Sequence, residues 1–235
     1  MNGPREADAA VAGKARPRGV LLLSQTYPPD VGGVETHLAD LTAVLARRSD
    51  VRTWVLCYQP IVTKGVRAAA RERIGSVSVR RYWWFGGNLF RRLEPWPALL
   101  FLYITPCFLV RVLLFMLTHA RRVDVIHAHG FNMGFVGCVL GALFGKRVVF
   151  QSHALYSFRK GALFTRVAAR VLRRAAHVLA LCRASRDEIA GLGVAEEAVT
   201  VYRYWIDLVR FCDTGREASR ARLGWGSGRV ALFVG

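Results

Sequence analysis

Seven short runs of β-strand type, several separated by stretches of helical periodicity, limit this chain more than any other feature. The strand candidates are 19–24, 51–57, 76–81, 123–127, 147–151, 177–181 and 199–202, and the helical patterns fall at 34–47, 97–118, 133–144, 163–175 and 185–192. Gly145 comes after the third helical pattern, and Gly191 and Gly193 mark the end of the fifth, as helix stops do. Strands alternating with crossovers of this length build βαβ units. The expected fold class is therefore α/β, a Rossmann-like doubly wound parallel sheet. A chain of 235 residues with 53% hydrophobic content can bury a substantial core, which excludes a generally disordered chain.

Sheets of this kind bind ligands beyond the carboxyl ends of their strands. Three polar clusters fall at those ends: Gly32-Gly33 after the first strand, His127-Ala128-His129-Gly130 after the fourth, and Ser152-His153 after the fifth. The segment from Tyr27 to Leu38 is the most informative, with a proline-stiffened loop, a glycine pair and an amphipathic helix start. Val34, Leu38, Leu41 and Leu45 share one face of that helix. Glycines allow backbone N–H groups close to a ligand, and a helix N-terminus carries partial positive charge. The segment reads as a phosphate or carboxylate site, or as a plain tight turn.

Several chemistries are disfavoured by missing motifs. The first loop has no G-x-G-x-x-G, and the chain has no Walker A sequence and no G-x-S-x-G elbow. His127, His129 and His153 lack a fourth ligand at zinc-site spacing, so structural or substrate-polarising roles fit them better. The five cysteines are odd in number and form no C-x-x-C pair, consistent with free thiols in a reducing compartment. Residues 1–17 are polar and basic without an apolar h-region, and read as a disordered arm rather than a secretory signal.

The balance of 34 Lys+Arg against 16 Asp+Glu gives a net charge of +18. Such a field draws phosphates, anionic lipid or nucleic acid, or it belongs to a merely solvated arginine-rich surface. No RRM, KH or helix-turn-helix signature accompanies it, so nucleic acid is not an expected partner. The apolar run 97–118 is long enough to span a bilayer, but Pro106 interrupts it and Arg111 would sit near mid-membrane. A buried core helix, a helix in the membrane interface and a true span all remain open. Tyr82-Trp83-Trp84-Phe85 with Arg91-Arg92 is either an interfacial anchor or packing beneath that helix.

The ordered set YPPDVGGVETHLADLTAVLARR, DVIHAHG, VVFQSHALYSF, VLALCRASRDEIAGLGV, VYRYWIDLVRF and VALFVG resembles the N-terminal half of GT-B fold, retaining, nucleotide-sugar-dependent glycosyltransferases. The likeness covers roughly residues 18–235. It implies two facing Rossmann-like domains, with 18–212 the acceptor-side domain and 213–235 an interdomain linker plus the first strand of a second domain, near 230–234. It places Gly32 and Gly33 on the cleft floor near the donor diphosphate, with Glu35 and Thr36 opening the helix beside them. His153 matches a histidine that contacts the transferred sugar and is the expected catalytic residue. Gly32, Gly33, Glu35, His129 and Ser152 are the expected donor- and acceptor-binding residues.

Two departures from the family pattern stand out. Cys182 replaces a frequent serine ahead of the acidic Asp187-Glu188 helix, and Arg203-Tyr204-Trp205 replaces a Pro-Asn-Gly turn before Ile206-Asp207. The expected donor is a nucleotide-sugar and the acceptor a lipid-linked or other membrane-bound glycan, with no cofactor and no metal. Because the sequence stops at Gly235, a donor-domain partner chain and inactivity without it are also expected. The expected location is the cytoplasm, peripheral to the inner membrane face. A non-catalytic module that binds anionic membrane or a partner subunit is the alternative.

Overall fold

The computed structural model describes residues 16–63, 65–84, 89–93, 95–156, 158, 161–204, 215–231 and 233. The basic arm up to residue 15, Phe85, the departure at 205–207 and Cys212 lie outside the described residues. The chain divides into two compact units, Met1–Arg203 and Tyr204–Gly235.

The first unit is built on one eight-stranded sheet. Its strands are β1 (Arg18–Leu23), β2 (Val51–Tyr58), β3 (Arg71–Ile74), β4 (Val77–Tyr82), β5 (Val125–His129), β6 (Arg147–Gln151), β7 (His177–Ala180) and β8 (Val199–Val201). They lie in the order β3-β4-β2-β1-β5-β6-β7-β8. Every pairing is parallel except β3 with β4. The helices are α1 (Gly33–Ala46), α2 (Leu89–Leu93), α3 (Pro97–His119), α4 (Phe131–Phe144), α5 (Leu163–Leu172) and α6 (Arg183–Ala190). All seven expected strands are present. The eighth, β3, was not legible, because its Arg-Glu-Arg-Ile sequence is exposed throughout and carries the charges that suit a sheet edge.

Central strands of such a sheet are covered on both faces and so read as continuous apolar runs. Leu21 and Leu23 face one core cluster with Ile104, Phe108 and Val112 of α3, whereas Leu22 faces a second cluster with Leu38 of α1. Small residues let α4 lie unusually low on the sheet. A Cβ at Gly134 would stand 2.6 Å from the Phe150 ring, and one at Gly141 would collide with Val148. That close approach fixes where the start of α4 arrives at the carboxyl edge of the sheet.

α3 settles part of what its sequence left open. Ile104, Thr105, Phe108, Val112, Phe115 and Met116 are buried on its inner face, and the Tyr58 hydroxyl donates to the Ile104 carbonyl at 2.7 Å. The interruption expected at Pro106 does not occur, and the helix runs through it. Proline removes only the bond to the carbonyl four residues back, that of Leu102, which lies on the exposed face where water can replace the donor. That outer face is itself apolar: Leu102, Leu114 and Leu117 are 65%, 57% and 65% exposed. In the aromatic run before it, Trp84 packs against Tyr58 and Tyr103 with ring centroids 5.3 and 5.0 Å apart, while Trp83 is 61% exposed.

The second unit contains α7 (Arg216–Arg222), entered through Gly215 at φ +86°. Arg220 donates to the carbonyl of Gly226. In the stretch 230–234, the described residues Val230, Ala231 and Phe233 belong to no strand. The strand expected there is not observed among them.

Candidate functional site

The loop after β1 is rigid because buried polar groups clamp it from both sides. Asp30 is 3% exposed, and its carboxylate accepts the backbone N–H groups of Ile61, Val62 and Thr63 at 3.2, 3.2 and 2.7 Å. Arg81, also buried, donates to the carbonyls of Pro28 and Ala69 at 2.9 and 3.1 Å. It pairs with Glu72 at 2.8 Å and lies 5.5 Å over the Tyr27 ring. The Tyr27 and Thr42 hydroxyls are hydrogen-bonded at 2.8 Å, tying the loop to α1.

This frame delivers Gly32 as the residue preceding α1 and Gly33 as its first turn. The Glu35 carboxylate folds back so far that a Cβ on Gly32 would collide with its Oε2, whereas a Cβ on Gly33 would meet nothing within 4 Å. A negative charge at the third helical position complements the helix dipole, much as in a capping box. It also puts a carboxylate beside Gly32, so in this conformation an anion would find its open approach at Gly33.

Across the switch between β1 and β5, four imidazoles and one amide assemble. His127 and His129 are two residues apart on β5 and therefore share a face. Gln151, at the end of β6, sits 3.1 Å from His127 Nε2 through its Oε1 and 3.2 Å from His37 Nε2 through its Nε2. The amide thus assigns tautomers: His127 donates from Nε2, and His37 accepts at Nε2. His129 Nδ1 and His153 Nε2 are 3.0 Å apart, with nearly parallel rings 5.2 Å between centroids. The Tyr202 ring closes on His37 at 5.6 Å.

Burial, with the neighbouring imidazoles as the smaller cause, pushes His129 well below its ordinary range. Burial likewise lowers His153 to about 4, with His37 and His127 adding to the effect. It lowers His127 to about 4 against the opposing Gln151 bond, and it lowers His37 too. At neutral pH the whole cluster is uncharged. His153 can orient or exchange a hydrogen bond with a sugar hydroxyl, but it offers no positive charge. The described residues include no group of three or more His, Cys, Asp or Glu placed to hold a metal ion.

A cavity of about 830 Å³ opens at this edge of the sheet. Ser24, Gln25, Thr26, His129, Asn132 and His153 line its polar end, where the Asn132 amide donates to Gln25 Oε1 at 3.3 Å. Leu100, Phe131, Leu155, Tyr156, Phe158 and Phe164 form its apolar walls. Of the residues expected at the site, His129 and His153 meet in this cavity. Gly32, Gly33 and Glu35 do not line it, although Val34 does.

Ser152 is not a lining residue. It is buried, donates to the Ala154 carbonyl at 2.8 Å and accepts from Ser185 at 3.2 Å. Its hydroxyl shapes the turn after β6. Glu188 finishes that turn by accepting the N–H groups of Tyr156 and Phe158 at 3.0 and 3.1 Å. The acidic helix α6 therefore holds one wall of the cavity. His37, Gln151 and Asn132 were not anticipated; His37 could have been found as the polar residue one turn into α1 beside the apolar Val34 and Leu38.

The fold is shared with solved structures. The chain is similar to HepE of Anabaena, in complex with UDP and glucose, at 20% identity and TM-score 0.58, over 88% of this chain and 50% of that one. Sucrose-phosphate synthase of Thermosynechococcus elongatus is similar at 16% identity and TM-score 0.63, over 89% and 53%. The catalytic domain of starch synthase IV from Arabidopsis thaliana, bound to ADP and acarbose, is similar at 13% identity and TM-score 0.57, over 92% and 61%. The chain thus spans about half the length of the first of these and somewhat more of the others. No curated protein matches the sequence. The sequence model of the glycosyl transferase 4-like domain matches residues 14–205, and with most of its length inside that match the chain belongs to the glycosyl transferase 4-like family.

Proposed function

We propose that this chain forms the acceptor-side half of a retaining glycosyltransferase that moves a sugar from a nucleotide-sugar to a lipid-linked glycan. The observation that carries the reading is the neutral His129–His153 pair at the polar end of the cavity, at the switch point between β1 and β5. His153 takes the role of orienting the transferred sugar. Gly33 and the start of α1 approach the leaving diphosphate, and arginines of this strongly basic chain balance its charge without a metal or cofactor. HepE was solved with UDP and glucose, which supports a nucleotide-sugar as the donor. A second half carrying the nucleotide site would complete the cleft.

The test is transfer of labelled sugar from a panel of nucleotide-sugars to membrane-extracted acceptors, by this chain alone and together with a donor-side half. Transfer is expected only with both halves, and His153→Ala should lower it by about 100-fold or more while far-UV dichroism stays unchanged. No transfer from any donor with both halves present, or full activity of His153→Ala, would overturn the reading.

A second reading, membrane attachment on the cytoplasmic face, is favoured by one observation. The outer face of α3 presents Leu99, Leu102, Val110, Leu114 and Leu117 to solvent, next to Arg111 and the exposed Arg121 and Arg122. Packing of the inner face on the sheet leaves this face free to lie on a bilayer. The chain should float with anionic vesicles and release as salt rises. Leu102→Asp with Leu114→Asp should weaken flotation by about tenfold or more, since burying one leucine is worth roughly 1.5–3 kcal/mol. Equal binding to neutral and anionic vesicles would remove the electrostatic part of this reading.

A further inference from the structure

His153 sits at the start of a short span that its own packing does not hold. The next two residues, Ala154 and Leu155, are exposed, Leu155 by 53%. Polar clamps from one helix fix the span instead. Ser185 and Glu188 are three residues apart on α6 and so share a face. Ser185, fully buried, donates to the Ser152 hydroxyl at 3.2 Å, immediately before His153. Glu188 accepts the N–H groups of Tyr156 and Phe158 at 3.0 and 3.1 Å, shortly after it. The helix itself is anchored by Ile189, which is buried in the same core cluster as Val178 and Ala180 of β7. The Ser152 N–H adds a bond to the Leu179 carbonyl at 2.9 Å. Both ends of the span are thus tied to the core through α6 and β7.

Tyr156 carries the clamp back to His153. Its backbone N–H is held by Glu188. Its hydroxyl lies within hydrogen-bonding reach of the Ser152 hydroxyl and of the backbone of His153 and Phe131. One residue therefore meets the carboxylate at its backbone and the His153 backbone at its tip, with the first residue of α4 beside it. Backbone donors that lose their acceptor must find water or another carbonyl, and either one shifts the turn. The His153 ring, beside His129 at the polar end of the cavity, moves with it.

Resting on the reading of His153 as the residue that orients the transferred sugar, we infer that Glu188 is a positioning residue for the transfer reaction. It acts through the Tyr156 backbone and hydroxyl, and sets where His153 stands in the cavity. Glu188 does not itself line the cavity, so its effect reaches the sugar only by way of the turn.

Nuclear magnetic resonance of the imidazoles at pH 6.0 tests the placement in this chain. His153 and His127 are both neutral there, because burial holds each at about 4. In Glu188→Ala the turn opens, and His153 is expected to be mostly protonated, as a solvated imidazole of pKa about 6.5 is. His127 lies on β5, outside the turn, and should stay neutral. A merely structural role would leave both rings neutral until the chain unfolds, and would then charge them together. Tyr156→Phe, which keeps the backbone bond and removes the hydroxyl, should charge His153 in part. Glu188→Gln keeps one oxygen for one of the two N–H groups and should also fall between, so the test survives if Glu188→Ala does not fold. With a donor-side half present, Glu188→Ala is expected to lower kcat by about tenfold or more, with KM for the nucleotide-sugar within about twofold. A His153 that stays neutral, two rings that charge together, or an unchanged kcat would overturn the assignment. If the native halves transfer sugar while His153 is unmoved in Glu188→Ala, the positioning role falls and the glycosyltransferase reading stands. If the ring charges as expected but no donor gives transfer with both halves, Glu188 still places His153 and the glycosyltransferase reading falls.

Discussion

Between pH 6.5 and pH 4 the first unit is expected to lose stability steeply. In the unfolded chain each imidazole takes up a proton near pH 6.5. In the fold, burial keeps His127 and His153 neutral down to about 4, and it holds His129 well below the ordinary value. These folded values are depressed, so the unfolded state binds more protons throughout the window and stability rises with pH. The contribution is fully present above about pH 6.5 and is lost as the pH falls toward 4. Each imidazole adds a slope of about 1.4 kcal/mol per pH unit, so three together approach 4 kcal/mol per unit in mid-window. Against a typical domain stability of roughly 5–15 kcal/mol, that is enough to unfold the protein in mild acid. On α1, Asp40 works against the effect at His37, but burial outweighs it. Urea unfolding at pH 7.5, 6.0 and 5.0 reads the slope directly. His127→Asn should flatten it by the share of one imidazole. A midpoint that does not move between pH 7.5 and 5.0 would show that the cluster is hydrated and titrates normally.

How much of this site was legible depended on how far each contribution travels along the chain. The strand ends announce themselves locally. Val148-Val149-Phe150 predicts a strand, and the residues just after a strand lie at its carboxyl edge, so the meeting of His129 with His153 is readable from parallel topology alone. The bridge between His127 and His37 is not, because Gln151 reaches α1 across 114 residues of sequence and nothing in its neighbours marks it as an amide between two imidazoles. Ser152 shows the opposite case: its position at the strand end is as expected, while its hydroxyl turns inward to Ala154 and Ser185. Period and polarity place a residue at an edge; they do not say which way a short side chain rotates. The glycine pair divides in the same manner, with Glu35 filling the space at Gly32 and leaving Gly33 open. Pro106 reads as a break only while its lost hydrogen bond is counted without asking whether Leu102's carbonyl faces water.

Asp30→Ala is expected to destabilise the first unit by about 3–6 kcal/mol. The carboxylate accepts three backbone N–H groups, and removing it leaves them without a partner in a loop where Ile61 is buried. A buried donor left unsatisfied costs roughly 1–3 kcal/mol, and bonds to a charged acceptor lie at the strong end of the range. Alanine also empties the space that the carboxylate fills. Asp30→Asn retains one carbonyl oxygen in nearly the same shape and should fall between, because its NH₂ group would face donors. The same change should reach the site. Asp30 anchors the loop three residues before Gly33, and Arg81 alone would then hold Pro28. Proteolysis should begin within 27–33 in Asp30→Ala, and Thr42→Ala, which removes the bond to Tyr27 and the hydroxyl's bonds to the Leu38 and Ala39 carbonyls of its own helix, should be much milder. Equilibrium unfolding in urea measures the loss. A cost below about 1 kcal/mol would mean that water satisfies the three N–H groups, and that the rigidity of the Gly32-Gly33 approach comes from Arg81 and the prolines rather than from Asp30.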